Sequence, residues 1–236
     1  MLDCGLAGAS MSGMAPAAVR LDRVARSALW AAAFGFGLVS LLVARSHPGG
    51  SFGGTSWVAA VAELAAGWAL IAVGLRLALR RPANRPGYLL AAAGVSWFFV
   101  EWNNPGIGSP AAFTFGLVVW ALAPPIVGHA ILAYPSGRAL PLPGRAALLA
   151  AYVGAGLVLG LLPALVFDPK RQACSQCPAN LLSVTSDQDM VHFLAQWGVW
   201  LGLVWPVALA AVAAWVGDTR LIDNILLSAE QTQEAQ

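Results

Sequence analysis

Phe113–Arg138, FTFGLVVWALAPPIVGHAILAYPSGR, is the stretch whose reading decides the fold. It holds no acid, and ahead of its last arginine the only titratable side chains are His129 and Tyr134. About 20 apolar residues at 1.5 Å each match a hydrocarbon core of roughly 30 Å, so the stretch can cross a bilayer. Pro124 and Pro125 interrupt it. Each proline removes a backbone donor, leaving a carbonyl one turn back that lipid cannot satisfy. The helix is therefore expected inside a bundle, as the fourth of six spans, ending at the turn Tyr134-Pro135-Ser136-Gly137-Arg138.

Composition agrees with that reading. Of 236 residues, 58% are hydrophobic and 10% charged, with a mean hydropathy of +0.70; a soluble domain carries about 25% charged residues. The expected fold is all-α, a polytopic membrane bundle with short loops and no separate soluble catalytic domain. The arginines sit beside apolar spans rather than on one polar face, which argues against a nucleic-acid partner.

Outward from the fourth span, the others are expected at 28–44, 56–75, 87–102, 146–167 and 191–216. Residues 1–27 form an N-terminal segment, disordered over 1–19, with Met11 and Met14 as alternative starts. Arg20, Arg23 and Arg26 precede the first span in the manner of a signal peptide. The apolar run is long for that role, however, and Ala44-Arg45-Ser46-His47 is a poor cleavage site, so an uncleaved span is expected. Pro82 and Pro86, the run Asn103-Asn104-Pro105-Gly106, and Pro141, Pro143 and Gly144 mark the connections. The longest loop is 168–190. In the tail, 217–236, Asp218 is placed to cap a helix through Ser228, read either as a docking helix or as an interfacial one.

Charge sets the orientation. With the N-terminus cytoplasmic, the inner segments hold Arg20, Arg23, Arg26, Arg76, Arg80, Arg81, Arg85, Arg138, Arg145 and Arg220, and the outer ones Arg45, Lys170 and Arg171, ten against three. That positive-inside bias puts both termini in the cytoplasm of a cell-membrane protein. Trp57, Trp102, Trp197 and Trp200 fall near the outer boundary, and Trp30 and Trp215 near the inner one. No internal repeat supports an inverted-repeat transporter.

Several pieces of the chain together resemble the membrane-embedded sensor region of actinobacterial sensor histidine kinases. They are Ala62–Trp68, Arg81–Arg85, Trp97–Pro105, His129–Arg138 and Cys174–Leu182, and the resemblance covers roughly residues 25–220. In that family the membrane region is followed by a dimerisation helix with a phospho-accepting histidine and then an ATP-binding domain. Here 20 residues follow the last span, so no kinase residue can be carried over. The resemblance implies a signal-input role, exercised with a separate cytoplasmic kinase or response-regulator system as partner, or as the input half of a truncated kinase, with a homodimer as one assembly.

Glu63 and Glu101 are the leading candidates for chemistry. Glu63 lies roughly 10 Å inside the outer end of the second span and Glu101 near the outer end of the third, so both are placed to line one outward-facing polar pocket. A carboxyl group in a low-dielectric site marks a ligand, ion or proton-sensing position. The plainer reading gives Glu63 an interhelical hydrogen bond and leaves Glu101 solvated at the interface. His129 belongs toward the inner leaflet, too far in depth from His192 to share a haem; it is read as an interhelical hydrogen-bonder, or as a residue that transmits the signal.

Cys174 and Cys177 form a C-x-x-C in the outer loop. Pro178 stands where haem attachment needs histidine, and zinc would need two further ligands. A structural disulfide suits an oxidising compartment, with a redox-active pair as the alternative. Cys4 is isolated. Ser136 beside Pro135 is a poor setting for a nucleophile, which sets aside a serine protease built with His129. No catalytic residue, cofactor or metal is expected. A solute or ion transporter using Glu63 and Glu101, and an exocytoplasmic thiol oxidoreductase using the cysteines, are the competing functions.

Overall fold

The computed structural model describes residues 15–80, 85–133 and 142–200, apart from 172, 173, 175, 195 and 199. The expected turn at Tyr134–Arg138, most of the sixth span, the tail helix, and Cys4 and Ser136 lie outside the described residues.

Among the described residues every regular element is helical. α1 is Ala15–Ser46, α2 the single turn Phe52–Thr55, α3 Trp57–Arg80 and α4 Arg85–Phe98, which a 3-10 segment, Phe99–Asn103, extends. α5 is Pro110–Val119 and α6 Ala123–Ala133. α7, Leu142–Val153, runs through a π-helical stretch, Gly154–Leu161, into α8, Leu162–Val166. A further helical segment begins at 188. Residues 15–19, expected to be disordered, are the start of α1.

Three helices are long and apolar enough to cross a membrane, Ser27–Ser46, Trp57–Arg80 and Leu142–Val166; α5 and α6 make a fourth if the bent pair is one span. Leu38 and Leu42 on α1, Val58 and Val61 on α3, and Leu149 and Val153 on α7 are exposed. Apolar side chains turned outward on long helices are what a hydrocarbon solvent accommodates. α4, with 14 residues, reaches only about 21 Å by itself.

α3 and α4 form the centre because small residues let their backbones touch. The buried face of α3 is Ala59, Ala60, Glu63, Gly67, Ile71, Gly74 and Ala78, at helical spacing. A Cβ on Gly87 would lie 2.5 Å from the Ala78 nitrogen, and one on Gly94 2.7 Å from the Gly67 carbonyl oxygen. Such contacts let two helices associate by close packing where no hydrophobic effect acts between them. α4 also packs on α6, whose buried face is Ala123, Pro125, Gly128, Ala130 and Ala133.

The bend between α5 and α6 is 48°. The prolines do not sit at the break itself. The helix opens at Trp120–Leu122, and Pro124 and Pro125 occupy the first turn of α6, where an N–H has no intrahelical acceptor anyway.

Candidate functional site: a buried carboxyl pair under a helical turn

Loops 47–56, 99–109 and 167–187 interlock at one end of the bundle. Asn104, 1% exposed, donates through Nδ2 to the His47 carbonyl at 3.0 Å and accepts at Oδ1 from the Gly106 amide at 2.9 Å. Trp102 Nε1 donates to Ser40 Oγ at 3.0 Å. Asn180 Nδ2 donates to the Ala164 and Phe167 carbonyls at 2.6 and 2.8 Å, and the Leu181 amide to Thr114 Oγ1 at 2.9 Å. Ser51 and Ser56 cap α2 and α3, each accepting from an amide three residues on at 3.0 Å. Buried polar loop groups are paired in this way because leaving one unpaired costs about 1–3 kcal/mol.

Within this end, the structure brings Glu63 and Glu101 together. They are 3% and 1% exposed, so the solvated reading of Glu101 does not hold. The Gly53 amide of α2 donates to Glu101 Oε1 at 3.3 Å. A Cβ on Gly53 would strike Glu63 Oε2, so the second face of the same glycine lies on the other carboxyl. Among the described residues, Glu101 is the titratable neighbour of Glu63. Neither oxygen of Glu63 nor Oε2 of Glu101 has a hydrogen-bond partner. Two carboxylates are acceptors only and cannot satisfy one another; one proton between them supplies an O–H donor and closes an O–H···O bond.

Below the pair, the Phe98 ring fills the space against Gly67 and Gly37, and Phe98 is 1% exposed. Phe36, Phe99, Trp102 and Phe115 extend this aromatic layer, with Phe36–Trp102 and Phe99–Phe115 centroids 5.3 and 5.0 Å apart. Arg45, the closest cation in sequence on α1, stacks instead on Trp57, 4.1 Å from its centroid.

Beside α2 a cleft of about 630 Å³ is lined by His47, Asn103, Phe113, Phe167, Cys174 and Cys177, among others. The carboxyl pair does not line it, so the expected open acidic pocket is replaced by a buried pair and a neighbouring cleft without acids. Cys174 and Cys177 are joined in a disulfide, and His47 Nε2 lies 2.8 Å from Gln176 Oε1 in the same loop. Pro48 links the two features: it lines the cleft, and a Cβ on Gly54 would meet its Cα at 2.8 Å.

His129 is not brought to the pair. On α6 its Nδ1 lies 3.2 Å from Tyr152 Oη of α7, the interhelical hydrogen bond of the plainer reading. His192 is exposed in the segment that begins at 188. Among the described residues no group of three or more His, Cys, Asp or Glu side chains could hold a metal ion.

Sequence reasoning missed Gly53, Asn104 and Asn180. The Gly53-Gly54 pair between two serine caps was the available signal for close backbone approach. No family model matches the chain, and no curated protein and no solved structure is significantly similar to it.

Proposed function

We propose that the chain is a signal-input module of the cell membrane, with six spans and both termini cytoplasmic, that passes a change at its outer end to a separate cytoplasmic kinase or response-regulator system. The observation that carries this reading is the Glu63–Glu101 pair. Two acids buried at the base of interlocked loops, with three oxygens unsatisfied, are a costly arrangement that folding alone does not require. The Phe98 ring packs on Gly67, one turn along α3 from Glu63, and on Phe36, apolar surroundings that suit a sensing site better than a station on a conduction path. The exposed apolar faces of α1, α3 and α7 and the positive-inside distribution of arginines support the membrane topology. The short disulfide ring beside the cleft suits an oxidising exterior.

Deletion and complementation test the reading. Transcription is followed in the source organism after steps in external pH, osmolarity and reductant. A regulon lost on deletion, restored by the wild-type chain and not by Glu63→Gln at equal membrane abundance, is the expected result. Unchanged transcription, with solute or ion flux in reconstituted vesicles that falls on Glu63→Gln, would establish the transporter instead.

A further inference from the structure

We infer that Glu63 and Glu101 form a site for one shared proton, and that this proton holds α2 closed over the pair. The inference rests on the signal-input reading and names the ligand of that site and the element that responds to it.

Four observations converge on α2. Its Gly53 amide is bound to Glu101, and the same residue rests on Glu63 with no room for a side chain. Its Gly54 rests on the Ala44 carbonyl of α1 and on Pro48 of the cleft wall. The turn is only four residues long, too short to be stable on its own, so its position depends on what lies beneath it. What lies beneath is two acids that can hydrogen-bond to one another only when one proton is present.

Among the described residues no other charged group takes over that role; His47, in the loop ahead of α2, lies 2.8 Å from Gln176 Oε1. α3 contributes Glu63 to the site and the 3-10 segment contributes Glu101; α2 has no titratable residue. α1 presents Leu41 and the Ala44 carbonyl to the two glycines, and its Arg45 is turned out onto Trp57. On α4 the titratable residues are Arg85 and Tyr88, at the opposite end of that helix.

With the proton in place, the carboxyl groups form one O–H···O bond and the site carries a single negative charge, which the Gly53 amide faces. When the proton leaves, two carboxylates lie against one another in a dry site. The relief available to them is water, and water enters by lifting α2. Because Gly54 touches both α1 and the cleft wall, that movement reaches the end of a long helix and the cleft together.

Linkage fixes the size of the effect. If the closed turn holds one proton that the open turn has lost, the opening equilibrium rises with pH by up to about tenfold per pH unit. The test is hydrogen–deuterium exchange of the full chain in lipid nanodiscs, following the peptide across 50–56 over a range of pH. At each pH the exchange is divided by that of Glu63→Gln, which removes the intrinsic pH dependence of amide exchange. The side-chain amide introduced by Glu63→Gln carries a permanent N–H donor toward Glu101 and has no proton to lose, so the turn of that variant stays closed. Glu101→Gln is the second variant, since its amide oxygen still accepts from Gly53 while its nitrogen faces Glu63.

The expected result is a wild-type to variant ratio that climbs toward tenfold per pH unit and is the same with either variant as reference. A ratio that stays flat overturns the inference. A ratio that follows sodium concentration at fixed pH also overturns it, and makes the pair a metal-cation site. The signal-input reading is tested separately, by transcription in cells, so either can fail while the other stands.

Discussion

Gly74 of α3 lies so close to Ala91 of α4 that a Cβ on the glycine would strike the alanine's backbone nitrogen. Gly35 on α1 has nothing within 4 Å of its Cβ position. The same substitution should therefore have opposite signs at the two sites. Gly74→Ala should lower stability by about 1–3 kcal/mol through overpacking. Gly35→Ala should be neutral or stabilise by up to about 1 kcal/mol through helix propensity. Thermal unfolding in detergent checks both, and equal effects would remove the close-packed α3–α4 seam.

Gly53→Ala makes a related prediction at the site. The added methyl meets the Glu63 carboxyl, so α2 must lift or Glu63 must turn away. The 50–56 peptide should lose exchange protection at every pH, whereas Glu63→Gln should retain it. A Gly53→Ala chain as protected as wild type would mean that α2 does not rest on the acid.

Asn104 ties two loops with one side chain, donating to His47 O and accepting from the Gly106 amide. Asn104→Ala leaves the half-buried Gly106 amide without its acceptor and the His47 carbonyl with only the 3.5 Å bond from the Gly50 amide, at a cost of about 1–3 kcal/mol. Asn104→Asp keeps the acceptor for Gly106 and loses the donor to His47, so its loss should be intermediate. Unfolding midpoints of the three chains should fall in that order.

The disulfide closes a very small ring, Cys174 to Cys177. Loop-closure entropy for so few residues is worth about 2 kcal/mol. Cys174→Ser with Cys177→Ser should thus lower the midpoint modestly and leave the helices intact. Exchange should rise in the peptides that wall the cleft, at 47–50 and 174–177. A pair that cycles between alkylation-accessible and protected forms during growth would point to the thiol oxidoreductase instead.

The sequence was most informative where a single physical cause acts. Long apolar runs announced α1, α3 and α7 through α8, and Glu63 and Glu101 stood out because charges are rare in such runs. Their meeting was not legible. It depends on α2, a turn built from Phe-Gly-Gly-Thr inside what read as a loop, and on a 3-10 segment that swings Glu101 inward. The position of the α5–α6 break was displaced for a similar reason. Two prolines were read as an interruption, whereas they are tolerated in the first turn of α6 and the chain opens just ahead of them. His129 read correctly as a hydrogen-bonder, but its partner Tyr152 lies 23 residues away on another helix, beyond any local pattern.

Trp120, at the α5–α6 break, supplies the last prediction. Its Nε1 donates to the Leu159 carbonyl at 3.1 Å, inside the π-helical stretch. In an α-helix that carbonyl would be served by the amide of residue 163, which is a proline and has none. Trp120 therefore supplies a donor where the α-helical one is missing, and it ties the bent pair to Leu142–Val166. Trp120→Phe should cost about 1 kcal/mol, because it removes the side-chain donor to that carbonyl. Pro163→Ala restores a backbone amide near Leu159. Added to Trp120→Phe, it should recover part of the loss, although in the wild-type background it has nothing to repair. The two substitutions should thus be non-additive, with the double variant more stable than the sum of the single effects requires. Strict additivity in thermal unfolding would mean that the indole and the missing amide do not serve the same oxygen.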